Sequence, residues 1–196
     1  MLQIQNPIDD SINISGTIYE VNATFDNILN VIFVLEEMIK DEVSPFIIPN
    51  VILKLLINDI LHDSSHEEKI KAVETILAKY LKKEEKTMLD ISGEEIDLPE
   101  DGSQNIVFDY REDSELIYSA FMQTYGIDLI EEQGKLHWLK FRAMLNGLPE
   151  NTRLSKVIGY RGYDPNNEKK SHKQQMLYLK RIHQLPNELN EEKTNG

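Results

Sequence analysis

The chain has no cysteine. That excludes a disulfide framework, a thiolate nucleophile and any cysteine-bound metal. Long apolar runs are missing too. The longest, 31–35 and 51–57, are far too short to span a bilayer. The first residues, Met1-Leu2-Gln3-Ile4-Gln5-Asn6-Pro7, carry neither a basic start nor an apolar stretch, so no signal peptide is expected. Without one, the glycosylation-type triplets at Asn13 and Asn22 are read as chance. Glycine is sparse and forms no phosphate-binding loop. Gly159-Tyr160-Arg161-Gly162 has neither the lysine nor the spacing of a P-loop. No serine stands in a nucleophile-elbow context.

Positive charge is scarce over most of the chain. The formal net charge is −13. Residues 151–196 hold 9 Lys/Arg against 5 Asp/Glu, a net of +4, which leaves 12 against 29, a net of −17, on residues 1–150. An acidic body repels nucleic-acid phosphates, so the aromatic and basic mixture of Tyr160, Arg161, Tyr163 and Tyr178 is a poor argument for nucleic-acid binding. What the chain does have is helical periodicity. A length of 196 residues and a hydrophobic fraction of 40% suffice for a packed core.

The pattern predicts a mainly α fold with a small N-terminal β-hairpin (about 12–21) packed on a helical bundle. Ile12-Asn13-Ile14-Ser15 and Ile18-Tyr19-Glu20-Val21 alternate on either side of a Ser-Gly turn signal. Thr24 is a candidate N-cap for a helix bearing Ile28, Leu29, Val31, Ile32, Leu35, Met38 and Ile39. Pro49 reads as an interruption, with Asn50 capping a helix through Leu61. Ser65-His66-Glu67-Glu68 is a capping box opening a clean amphipathic helix over Ile70, Val73, Ile76, Leu77, Tyr80 and Leu81. Asp113 or Ser114 opens a helix ended by Gly126. Asp128 is read as the cap of the next, so that 114–147 forms a helical hairpin. Thr152 caps a short helix. Ser171 caps a last one with Met176, Leu179, Ile182 and Leu185 as its stripe. In domain terms the reading is 1–83 for the hairpin and first helices and 84–105 for an acidic linker or long loop. A C-terminal helical region at 106–186 and a disordered tail at 187–196 follow.

Little of this carries chemistry. His62 and His66 are four apart, but Asp63-Ser64-Ser65 between them looks like a turn and no third ligand is evident, so no metal site is expected. His137, near Glu131 and Glu132, reads as a buried hydrogen-bonded histidine rather than a general base. The many adjacent carboxylate pairs follow from acidity and do not make a catalytic pair. No enzyme activity and no cofactor are expected. The densest aromatic cluster is Phe121, Tyr125, Trp138 and Phe141. With Ile127, Leu129, Arg142, Leu145 and Leu148 these are the candidates for a protein-binding surface or, equally, for core.

Three stretches carry a resemblance. They are Ile106-Val107-Phe108-Asp109-Tyr110, Ile117-Tyr118-Ser119-Ala120-Phe121 with Tyr125-Gly126-Ile127-Asp128-Leu129, and the run Leu136-His137-Trp138-Leu139-Lys140-Phe141-Arg142-Ala143-Met144-Leu145-Asn146-Gly147-Leu148. Together they resemble a family of small proteins of long-tailed phages and prophages of Gram-positive bacteria, the bacteriophage Gp-fifteen type, encoded next to the tape-measure gene. The hairpin at 12–21 and the helix entry Thr24-Phe25-Asp26-Asn27 are similar to it more loosely. Members often carry two tryptophans where this chain has Trp138-Leu139. The resemblance implies a tail assembly chaperone of the host cytoplasm, absent from the mature virion. It would bind the tape-measure protein, and possibly the tail-tube protein, as a homo-oligomer. A structural tail component is the alternative. Neither nucleic acid nor membrane is expected as a partner.

Overall fold

A computed structural model describes residues 5–81, 88–89, 95–96, 107–165 and 170–186. It is mainly helical, with a small antiparallel hairpin near the N-terminus. The described residues gather into two compact units, each built from separate stretches of chain. The first takes residues from Met1–Glu84 and Ile130–Asn146, the second from Glu85–Leu129 and Gly147–Gly196.

In the first unit, β1 (Ser11–Ile14) and β2 (Thr17–Glu20) pair in the register Ile14↔Thr17 and Ile12↔Tyr19. The two turn residues, Ser15 and Gly16, both have positive φ (50° and 88°), the conformation whose twist matches a tight hairpin. Helix α1 (Phe25–Lys40) follows Thr24. The Thr24 side chain makes no capping bond, and its hydroxyl donates to Asn22 instead. Helix α2 (Ile48–Ile57) starts before the expected position, with Pro49 inside its first turn. Proline is tolerated there because its missing N–H would have had no helical partner. Asn58, left-handed at φ 55°, ends α2 before Leu61. Helix α3 (His66–Leu81) opens on the capping box as read: Glu68 Oε2 accepts from the Ser65 amide at 2.7 Å, and the Glu68 amide donates to Ser65 Oγ.

Helix α2 packs between α1 and α3. Its Ile52, Leu53 and Leu56 are fully buried with Ile28 and Val31 of α1 and Ile76 of α3. Burying one such side chain is worth about 1.5–3 kcal/mol. Helix α5 (Trp138–Asn146) completes this core by packing on α1. It is placed by a short backbone pairing in which the Phe25 amide donates to Leu136 O at 2.9 Å and the Trp138 amide to Ala23 O at 2.8 Å.

In the second unit, α4 (Ser114–Tyr125) and α7 (Lys170–Ile182) both pack on α6 (Arg153–Arg161). Gly126 ends α4 in the left-handed conformation, φ 67°, as its position after Tyr125 implies. Thr152 caps α6 through its hydroxyl, which accepts from the Ser155 amide at 3.2 Å.

The helices expected over 114–147 both form; α4 belongs to the second unit and α5 to the first. Asp128 does not open α5, which starts ten residues later at Trp138. Its carboxylate accepts from the Tyr118 hydroxyl, and 129–135 run as turns. Gly134, at φ 69°, donates its amide to Asp26 and so fixes the last turn before α5 on the first unit. The first stretch of unit one ends at Glu84, beside the expected division at 83, and the unit also takes in Ile130–Asn146. Most of the expected linker at 84–105, and the tail at 187–196, lie outside the described residues. Within the linker span, β3 (Met88–Leu89) pairs antiparallel with β4 (Glu95–Ile96).

Candidate functional site

The nine sequence candidates divide between the two units. Trp138 and Phe141 are buried in the first unit, where Phe141 stacks on Phe25 at 4.9 Å between ring centroids and Trp138 stacks on Phe141 at 5.7 Å. Phe121 and Leu129 are buried in the second, with Tyr125 edge-on to Phe121 at 5.6 Å. The aromatic cluster read as one is thus two. Ile127 and Leu148 are half-buried in the second unit, and Arg142 and Leu145 in the first. Four of the nine are therefore core.

Arg142 has a defined task. Its Nη1 donates to Tyr80 O at 2.9 Å, and the Trp138 indole N–H donates to the same oxygen at 2.9 Å. Tyr80 lies in the last turn of α3, whose final carbonyls lack helical partners and carry partial negative charge. A cation and an indole donor satisfy one of them and tie α5 to the end of α3.

His137 lies beside this tie. Its Nδ1 accepts from the Leu139 amide at 3.0 Å, which places the proton on Nε2. Nε2 then donates to Asp10 Oδ1 at 3.0 Å. The Tyr80 hydroxyl donates to the same carboxylate oxygen at 2.7 Å. Burial, then the Asp10 hydrogen bond and charge, push the Tyr80 phenol above its ordinary range. Both imidazole nitrogens are occupied by protein partners, so the arrangement fastens the segment before β1 to α3 and to the turn before α5. The carboxylate that meets His137 comes from Asp10, 127 residues away, which nothing in the local sequence signals.

The second unit contains a buried ion pair. The Arg161 guanidinium grips Asp113 with both Nη atoms, at 2.6 and 2.9 Å, and the Asp113 side chain is 1% exposed. Arg161 also donates to Val107 O and His183 O. Of the two candidates for the start of α4, Asp113 and Ser114, Asp113 holds the N-cap position, but its carboxylate makes no capping bond and accepts from the Asp109 amide and from Arg161. The neighbouring His183 imidazole is held below its ordinary pKa by burial first, then by the charges of Arg161 and Arg153.

The surfaces have a different character. At the junction of α1 and α2, Ile39 (69%), Phe46 (68%) and Ile47 (50%) are exposed. Phe46 lies against the His66 ring at 4.5 Å, which carries the apolar surface toward the start of α3 and the partly exposed Ile70. The neighbouring exposed residues Glu36, Glu37, Lys40, Asp41 and Glu42 are acidic but for the one lysine. In the second unit, α7 exposes Leu177, Tyr178 and Ile182. The expected α7 stripe of Met176, Leu179 and Leu185 is turned inward, while Ile182 is not. Among the described residues no group of three or more His, Asp or Glu side chains is arranged to hold a metal ion. No helix among them is long and apolar enough to cross a membrane.

The family model of the bacteriophage Gp15 protein matches residues 4–185, nearly the whole chain. The chain belongs to the bacteriophage Gp15 family. Neither a curated protein nor a solved structure matches it. Within this Gp15 chain the match runs through both units, and so takes in the exposed apolar surfaces as well as the two polar ties. The surfaces were missed in the sequence because Ile39, Phe46 and Ile47 look like any other core-facing residues. The one local hint is Ser44-Pro45, which places Phe46 and Ile47 in a turn rather than within a helix.

Proposed function

We propose that this Gp15-family chain is a non-enzymatic tail assembly chaperone of a long-tailed phage of Gram-positive bacteria. In this reading it binds the tape-measure protein in the host cytoplasm and keeps it soluble until tail-tube subunits polymerise around it. It then leaves, so the finished particle lacks it.

The observation that carries the reading is the acid-rimmed apolar surface of Ile39, Phe46 and Ile47. A unit with a closed core would gain by burying these side chains, and leaving them exposed suits a protein that meets an apolar client. Two bulky side chains beside a helix junction suit an amphipathic helix laid across them. A small contact of this kind is weak singly and strong only when many copies line one long client, which permits displacement. Membership of a phage protein family supports the setting, and the resemblance noted in the sequence supplies the client.

Co-expression with the tape-measure protein tests it. The wild-type chain should keep that protein in the soluble fraction and co-purify with it. The double variant Phe46→Ser/Ile47→Ser, with unchanged far-ultraviolet circular dichroism, should lose both effects. A tape-measure protein that stays insoluble beside the wild-type chain defeats the proposal. So does recovery of the chain in purified particles, which would instead make it a structural tail component.

A further inference from the structure

The surface of α7 is complementary to the junction of α1 and α2. Along α7, Gln174, Leu177, Tyr178, Arg181 and Ile182 recur at three- and four-residue spacing, and all are exposed. Met176 and Leu179 lie on the other side of this helix, which packs on α6. Helix α7 therefore has a second apolar face, with the cation of Arg181 within it and Lys173 one turn before Leu177 and Tyr178. The α1–α2 junction offers the reverse: exposed Ile39, Phe46 and Ile47 in a stretch where Glu36, Asp41 and Glu42 outnumber the single Lys40. The same polarity holds along the chain, with a net of −17 on residues 1–150 and +4 on residues 151–196.

We propose that the outer face of α7 docks on the α1–α2 junction of a second copy of this chain. Leu177, Tyr178 and Ile182 cover Ile39, Phe46 and Ile47. Arg181 and Lys173 meet Glu36, Asp41 and Glu42. Opposite charges around an apolar centre set the register and reject the like-charged pairings, acidic junction on acidic junction or basic helix on basic helix. Each copy carries one donor face and one acceptor face, so the contact is heterologous unless two copies exchange α7 reciprocally. The occupied junction is the same surface assigned above to the client, so a free chaperone hides it behind the α7 of another copy. The contact is measured on the protein alone, so it can fail while client binding holds.

The test uses charge reversal on each side. Sedimentation and light scattering should give the wild-type chain a mass that rises with concentration above the monomer's 22.7 kDa. The variant Lys173→Glu/Arg181→Glu should remain monomeric, and so should Glu36→Lys/Asp41→Lys/Glu42→Lys. An equimolar mixture of the two should associate again, because the unmodified helix of the junction variant then meets the unmodified junction of the helix variant, and the two reversed faces match as well. Circular dichroism identical to wild type shows that each variant is folded. A wild-type chain that stays monomeric overturns the proposal. Association that persists in both variants overturns it, as does a mixture that fails to associate.

Discussion

At the scale of single residues, the strongest commitments in the chain are polar. Asp113 and Arg161 are held together out of water by two short hydrogen bonds. Such a pair adds little net stability over a well-packed apolar pair, because both charges were desolvated to form it. Removing one partner is another matter. Asp113→Ala would leave the guanidinium with only the Val107 and His183 carbonyls, an uncompensated buried charge. The expected cost is about 3–5 kcal/mol. Replacing both, as Asp113→Ala/Arg161→Met, should cost clearly less than Asp113→Ala alone. Urea unfolding of the three proteins followed by circular dichroism checks this. A single variant as stable as wild type would mean that the pair is not buried as described. No local pattern announces this pair: Asp113 has the credentials of an N-cap, Arg161 sits 48 residues away, and only the tertiary fold brings them together.

At the scale of elements, the sequence is legible wherever a helix end is set by its own residues. Ser65 and Glu68 start α3, Gly126 ends α4, and Thr152 starts α6, each through contacts within a few residues. Thr152 is the most constrained of them. It is 1% exposed, and its hydroxyl faces Pro149 O at 3.0 Å and Ser155 Oγ at 2.8 Å besides accepting from the Ser155 amide. Thr152→Ala should therefore cost about 0.5–2 kcal/mol, the usual range for a lost cap, and Thr152→Ser much less. Thermal unfolding of the two variants distinguishes the lost oxygen from the lost methyl. Legibility fails where distant chain decides. Between Gly126 and Trp138 the apolar residues Leu129, Ile130 and Leu136 are spaced as on a helix. Yet Asp128 is claimed by Tyr118, Gly134 by Asp26, and Leu136 and Trp138 by the backbone of 23–25. Periodicity records which residues are apolar, not which partner buries them, and so it misplaced α5 and joined two aromatic clusters into one. The same blindness hid the candidate surface: Ile39 continues the α1 pattern although its side chain faces solvent.

At the scale of the whole molecule, the consequence is that neither unit is a continuous stretch of sequence. The first needs Ile130–Asn146 to finish its core. Without that segment, Phe25 loses its stacking partner, Tyr80 O loses both donors, and Asp10 loses the imidazole of His137. Removing a buried tryptophan or phenylalanine alone costs about 3–5 kcal/mol, and a small domain has about 5–15 kcal/mol in total. A chain truncated after Leu129 should therefore lack a cooperative first unit, even though it retains every residue up to the end of α3. A chain joining residues 1–84 to 130–146 through a flexible Gly/Ser linker should regain it, since the linker costs only a slowly growing closure entropy. Trp138 is the sole tryptophan and is buried in this unit, so its emission reports on the unit directly. The joined chain should show a blue-shifted emission that moves red in a single cooperative step on urea addition, and the truncated one should show non-cooperative loss of helix by circular dichroism. If the truncated chain unfolds cooperatively instead, α5 is an accessory to a core complete without it. A stretch inside the family match would then be attached to the first unit rather than built into it.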